Sequence, residues 1–162
     1  MTVINTSPAI HLHAVLPGGL GSLPRLIGEV IVPWEVCQEV AAGHDKDATW
    51  VQIQALSGIN LRTSPIVIPP LLQAQIDIGE AAVLQTATNE RHGAVILDDL
   101  KARRIAAMLG LAVTGTLGIL IQAKRAGHLP SVKAAIAILE NRGMWLDPKL
   151  AAKALNLAGE TA

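Results

Sequence analysis

Apolar positions along this chain fall into two alternating kinds of run. Short, β-branched runs predict strands at Val3–Ile4, Glu29–Val32, Ile59–Arg62, Ala94–Leu97 and Ala112–Val113. Longer stretches of helix-forming residues separate them. The first starts at Thr6 or Ser7, either of which can cap a helix with Pro8 in its first turn, and runs to about Leu16. Further helices are predicted over Leu20–Ile27, Pro33–Ala42, Ala48–Leu56, Gly79–Arg91, from Asp98-Asp99 to Leu109, and over Thr116–Ala126, Ser131–Asn141 and Pro148–Leu157. Pro17-Gly18-Gly19 and Gly43 punctuate the pattern, and Pro65, Pro69 and Pro70 mark a turn-rich crossing. The run Ala94–Leu97 is wholly apolar, as a central parallel strand covered on both faces must be. Strands alternating with helices predict an α/β fold: a three-layer α/β/α domain around a short, mostly parallel sheet.

Composition narrows the picture. The chain has 162 residues, one ordinary domain's worth, and no repeat or low-complexity linker, so a single domain over 1–162 is expected. Hydrophobic residues make up 51% and charged residues 16%, which excludes a disordered or highly charged chain. Phe and Tyr are absent, so Leu, Ile, Val and Ala must fill the core, and Trp34, Trp50 and Trp145 are the only aromatics. The single cysteine, Cys37, excludes an internal disulfide and is expected to pack. No stretch approaches ~18 apolar residues, and no basic segment leads an apolar one at the start, so a soluble cytoplasmic protein is expected. The net charge is zero, so any polyanion partner must be held by local basic patches or bound metal.

In open parallel sheets ligands bind beyond the carboxyl ends of the strands. Asn5 follows the first strand there, and Asp98-Asp99 follow Ala94–Leu97. Adjacent carboxylates resist ionising together unless a cation or hydrogen-bond donors compensate. A divalent ion does so, and Mg²⁺ accepts oxygen ligands while taking only one or two carboxylates directly. Taken alone, Asp98 reads first as the N-cap of the next helix, with Asp99 favoured by the helix dipole. Asp77-Ile78-Gly79-Glu80 has the spacing of a capping box, and Glu39, near the end of its helix, fits an exposed surface position.

Five fragments in order, "VINTSPAI", "VIVPWEVCQEV", "DIGEAAVLQTA", "VILDDLKARRIA" and "VTGTLGIL", resemble the PIN-domain family of small metal-dependent ribonuclease domains. The resemblance runs from Val3 to about Gly159 and is strongest to short prokaryotic members with a "GE" helix start and a "DD-x-KAR" strand end. It implies an acidic cluster around one or two Mg²⁺ or Mn²⁺ ions. Carried over position by position, the metal ligands are Asn5, Glu39, Glu80, Asp98 and Asp99, the four acids being also the catalytic set. Asp99 aligns better than Asp98 with the family's metal-site aspartate. Thr6 and Thr116 match hydroxyl positions lining the site, and suit helix capping as well. The chain departs from the pattern twice: Asn5 stands where the family has Asp, and Ala82 where many relatives have an acid.

The resemblance implies hydrolysis of RNA phosphodiester bonds, with Lys101, Arg103 and Arg104 holding phosphates or simply forming a solvated helix face. It implies partners too: a small antitoxin protein, a toxin–antitoxin role, and a homodimer. The alternative is a PIN-like module that binds RNA or protein and cuts weakly or not at all, because Asn5 brings no charge. Other chemistries find no support. Gly19-Leu20-Gly21 lacks the third glycine and preceding strand of a dinucleotide loop, and there is no phosphate-binding G-x-x-x-x-G-K-[ST] or nucleophile G-x-S-x-G. A receiver domain would carry its acid pair after the first strand, not a late one. His11 and His13 point different ways on a helix, and His44, His92 and His128 are scattered, so all five are expected to be structural or on the surface.

Overall fold

The computed structural model describes residues 1–43 and 53–161. Most of the helix expected over 48–56, with His44 and Trp50, lies outside the described residues. All five expected strands form: β1 (Thr2–Ile4), β2 (Val30–Val32), β3 (Ile59–Leu61), β4 (Ala94–Ile96) and β5 (Ala112–Thr114). They make one sheet in the order β3-β2-β1-β4-β5, and every pairing is parallel. The register sets Val3 beside Ile31 on one side and Val95 on the other.

Helices flank this sheet on both faces, giving the three-layer α/β/α fold. They are α1 (Thr6–Val15), α2 (Leu23–Ile27), α3 (Trp34–Ala42), α4 (Pro70–Gln73), α5 (Ile78–Asn89), α6 (Leu100–Met108), α7 (Thr116–Arg125), α8 (Val132–Asn141) and α9 (Pro148–Leu157). The core is aliphatic, as the lack of Phe and Tyr requires: Ile4, Leu12, Ile31, Leu84, Ile96 and Ile119 are fully buried. The central strands β1 and β2 are buried throughout, while the edge strands β3 and β5 are only partly covered. That gradient explains why the central runs contain no polar alternation.

Several local expectations are corrected. Asn5, not Thr6 or Ser7, occupies the N-cap position of α1, and it makes no side-chain cap bond. Leu20–Ile27 divides into a 3₁₀ turn at Gly19–Ser22 followed by α2. The proline-rich crossing contains the short helix α4, for which Pro70 is well suited because the first helical position needs no N–H partner. The capping box at Asp77 and Glu80 is present and starts α5.

Candidate metal centre

The strand order fixes where a site can lie. From β1 the chain moves outward to β2 and β3, then returns to the other side of β1 for β4 and β5. The direction of winding therefore reverses between β1 and β4, which opens a crevice beyond their carboxyl ends. Asn5 and Asp98-Asp99 are the residues that leave those two strands. The Asn5 N–H donates to the Ile96 carbonyl at 3.1 Å, so the two strand ends are tied together.

A cavity of about 360 Å³ opens there, lined by Asn5, Thr6, Ser7, Glu39, Asp77, Ile78 and Glu80. Asn5 is buried, and its Oδ1 has no hydrogen-bond partner. The Thr6 hydroxyl donates to Glu39 Oε2. Glu39 reaches across from α3 onto the start of α5, where Gly79 leaves room for it. A Cβ at position 79 would stand 2.6 Å from both oxygens of the Glu39 carboxylate. Any larger residue at position 79 would therefore make the Glu39 carboxylate move from this position. The Glu80 carboxylate is tethered by the Asp77 N–H at 3.3 Å. Burial pushes the Glu80 carboxyl above the usual range, and the negative charges of Asp99, Asp77 and Glu39 push the same way.

The two neighbouring aspartates do different things. Asp99, not Asp98, is the N-cap of α6; its Oδ1 accepts the N–H groups of Lys101 and Ala102 at 2.8 and 2.9 Å. It is exposed, on the Glu80 side. Asp98 turns toward α7 and accepts both the N–H and the hydroxyl of Thr116, at 2.7 and 2.6 Å. His11 Nδ1 lies 3.6 Å from its Oδ2. Burial would push the Asp98 carboxyl up, but His11 and Thr116 outweigh it and hold the carboxyl below its usual range. The compensation expected for an acid pair is therefore supplied to Asp98 by donors. Thr116 is fully buried and does not line the cavity.

Of the basic residues after the acid pair, Lys101 and Arg104 are exposed, whereas Arg103 donates through Nη1 to the Leu97 carbonyl at 2.9 Å. Cys37 packs as expected: it is buried, and burial pushes its thiol up to about 11. Asp77, whose spacing in the sequence announces only a helix cap, also lines the cavity.

Among the described residues, no three His, Cys, Asp or Glu side chains are gathered tightly enough to cage a metal between themselves. The donors that line the cavity nevertheless fit a hard divalent ion. All are oxygens, one is a buried acceptor left without a donor, and Mg²⁺ binds through few protein ligands while retaining its waters.

None of the described helices is long and apolar enough to cross a membrane. No curated protein matches the chain. A family profile described as a PIN domain matches residues 1–160. PIN domains are generally nucleases and typically use divalent metal ions, a chemistry in keeping with an oxygen-lined crevice at the topological switch point. The chain belongs to the PIN-domain family.

Proposed function

We propose that this chain is a Mg²⁺- or Mn²⁺-dependent ribonuclease that hydrolyses RNA phosphodiester bonds. It acts as a single cytoplasmic domain, a homodimer, and the toxin of a toxin–antitoxin pair. The observation that carries the reading is the orphaned Asn5 Oδ1 in a cavity shared with Glu39 and Glu80. Asn5, Glu39 and Glu80 would hold the ion, with Asp99 at the rim. When bound, the ion would polarise the scissile phosphate and lower the pKa of an attacking water. Thr6 orients Glu39 through its hydroxyl bond. Burial and the neighbouring acids hold the Glu80 carboxyl above the usual range, a repulsion that a bound cation would relieve. The exposed Lys101 and Arg104 would position phosphates, while Arg103 braces the end of β4. Asp98 and Thr116 support the site by fixing the start of α7 beside it.

The test is cleavage of labelled RNA with Mg²⁺, Mn²⁺ or EDTA, by wild type and Asp99→Asn. Asn caps a helix as well as Asp does, so this variant removes charge without removing the cap. A loss of at least ~100-fold in rate, about 2.7 kcal/mol, is expected. Cleavage unchanged in EDTA would sink the proposal. A second reading, a PIN-like module with weak or no activity, is favoured by the uncharged Asn5. Asn5→Asp separates the two by restoring the charge: the variant gains rate and Mn²⁺ affinity if position 5 limits a working nuclease, and stays inactive if the module only binds.

A further inference from the structure

A second carboxylate on α3 stands one turn before Glu39. Glu35 is 6% exposed; its Oε1 accepts the Ile66 N–H at 2.9 Å, and its Oε2 is buried without a partner. It lines a separate cavity of about 280 Å³ together with Trp34, Arg62, Ser64, Thr86 and Glu90. Arg62 is held through Nη2 by Glu90 and through Nη1 by Asn60 at 3.5 Å, while its Nε is buried and unpartnered. Two side chains that line one small cleft therefore carry an unanswered acceptor and an unanswered donor, both closed to solvent and each anchored by its other atoms. Buried polar groups are ordinarily satisfied, and those that are not call for a ligand or a water.

A ligand that answers both must offer N–H donors to a carboxylate and acceptors to a guanidinium, within a space fit for one flat ring system. Guanine has this arrangement: adjacent N1–H and N2–H donors on one edge, and O6 and N7 acceptors for an arginine on the next. Adenine and cytosine would turn a ring-nitrogen acceptor toward the carboxylate, and uracil would flank its single N–H with carbonyls. Single-stranded RNA is read through splayed bases that stack on aromatic residues, and Trp34 is the aromatic residue of this cleft. Glu35 and Glu39 are four residues apart on one helix and so share a face, with Cβ atoms about 5–6 Å apart. We propose that this cleft reads a guanine base of the RNA strand beside the metal centre. The proposal rests on the ribonuclease reading for its substrate.

Its test is binding, measured in EDTA so that cleavage plays no part. A short labelled RNA carrying one guanosine in a uridine run is compared by fluorescence anisotropy with the same strand carrying adenosine, inosine or 7-deazaguanosine. GMP serves as a free competitor. Guanosine is expected to bind roughly tenfold or more tighter than adenosine, with severalfold losses for inosine, which lacks N2, and 7-deazaguanosine, which lacks N7. Glu35→Gln keeps an acceptor for Ile66 and should erase the preference while leaving the urea midpoint in place. Equal binding of the guanosine and adenosine strands, or a preference that survives Glu35→Gln, would overturn the site. Tight binding of GMP with no guanosine preference in the strand would overturn the assignment to RNA. The nuclease reading fails separately, by cleavage that ignores EDTA or by its absence in the presence of metal.

Discussion

Glu160 and Glu80 are the same residue type held in opposite ways. Glu160, from the C-terminal segment, sits at the start of α8 and accepts the Ser131 hydroxyl and the N–H groups of Val132 and Lys133 at 2.8–2.9 Å, with Lys124 Nζ at 2.9 Å. Lys124 and the Lys133 N–H lead in pulling its carboxyl down to about 2. Glu80, at the start of α5, has a single long bond from Asp77 and three acidic neighbours, and burial pushes it up. A carboxylate that builds the fold is surrounded by donors. Glu80 is surrounded by other acidic groups instead, the setting expected of the cation ligand proposed above. Asp98 and Asp99 repeat the contrast within two consecutive residues: Asp98 is saturated by Thr116, whereas Asp99 gives one oxygen to a cap and adds its charge to the site.

The largest effect that can break this contrast is at Asp98. Asp98→Ala leaves the buried Thr116 N–H and hydroxyl without acceptors and should cost about 3 kcal/mol. Asp99→Asn should cost almost nothing in stability. Urea unfolding of the two variants measures this, and equal losses would mean that the adjacent aspartates share one role.

Glu160 comes next. Glu160→Ala removes the acceptor for a helix N-terminus and a lysine, and about 1–2 kcal/mol is expected from unfolding midpoints near neutral pH. The pH dependence carries the sign. Because the folded carboxyl is depressed, the unfolded chain binds more protons between about 2 and the ordinary carboxylate range. The stabilisation is whole above that range and is lost as pH falls through it toward 2. Glu80 has the reverse slope: its raised carboxyl binds protons more readily when folded, so stability declines as pH rises from the ordinary value through the raised one. Stability differences between wild type and Glu160→Gln, and between wild type and Glu80→Gln, should therefore slope in opposite directions with pH.

Much of this arrangement is legible in the sequence. Runs such as Val30-Ile31-Val32, β-branched and closed by Pro33, read as short buried strands, and the order of fragments around them points to the family. The spacing Asp77-x-x-Glu80 announces a helix start. What the sequence leaves open is decided by contacts between distant residues. Asp98 reads as the helix cap until Thr116, 18 residues on, claims it and leaves the cap to Asp99. Glu39 fits a surface glutamate until Gly79 is seen to make space for its carboxylate. Nothing in the sequence sets Glu35 apart, and only the fold buries it and brings the Ile66 N–H to its Oε1. Pro69-Pro70 reads as a break, yet Pro70 begins α4.

The smallest expected effect is the most discriminating. Glu80→Gln keeps an oxygen for the Asp77 N–H and takes one negative charge out of a cluster that contains Asp99, Asp77 and Glu39. Without metal it should stabilise the fold by about 0.5–1 kcal/mol, the scale of one near-surface like-charge contact relieved. With Mn²⁺ the order should reverse. A ligand that binds only the folded state raises stability with its concentration, so wild type should gain melting temperature on titration with Mn²⁺ and the variant much less. Thermal melts in EDTA and across a Mn²⁺ series measure both halves on the same protein. If Glu80→Gln is destabilising in EDTA, Glu80 belongs with Glu160 as a structural cap, and the contrast between the two carboxylates fails. If it is stabilising in EDTA and gains as much from Mn²⁺ as wild type, the repulsion is real but the ion is held elsewhere. Only the crossing of the two curves joins the frustration of the Glu80 carboxylate to the binding of a cation.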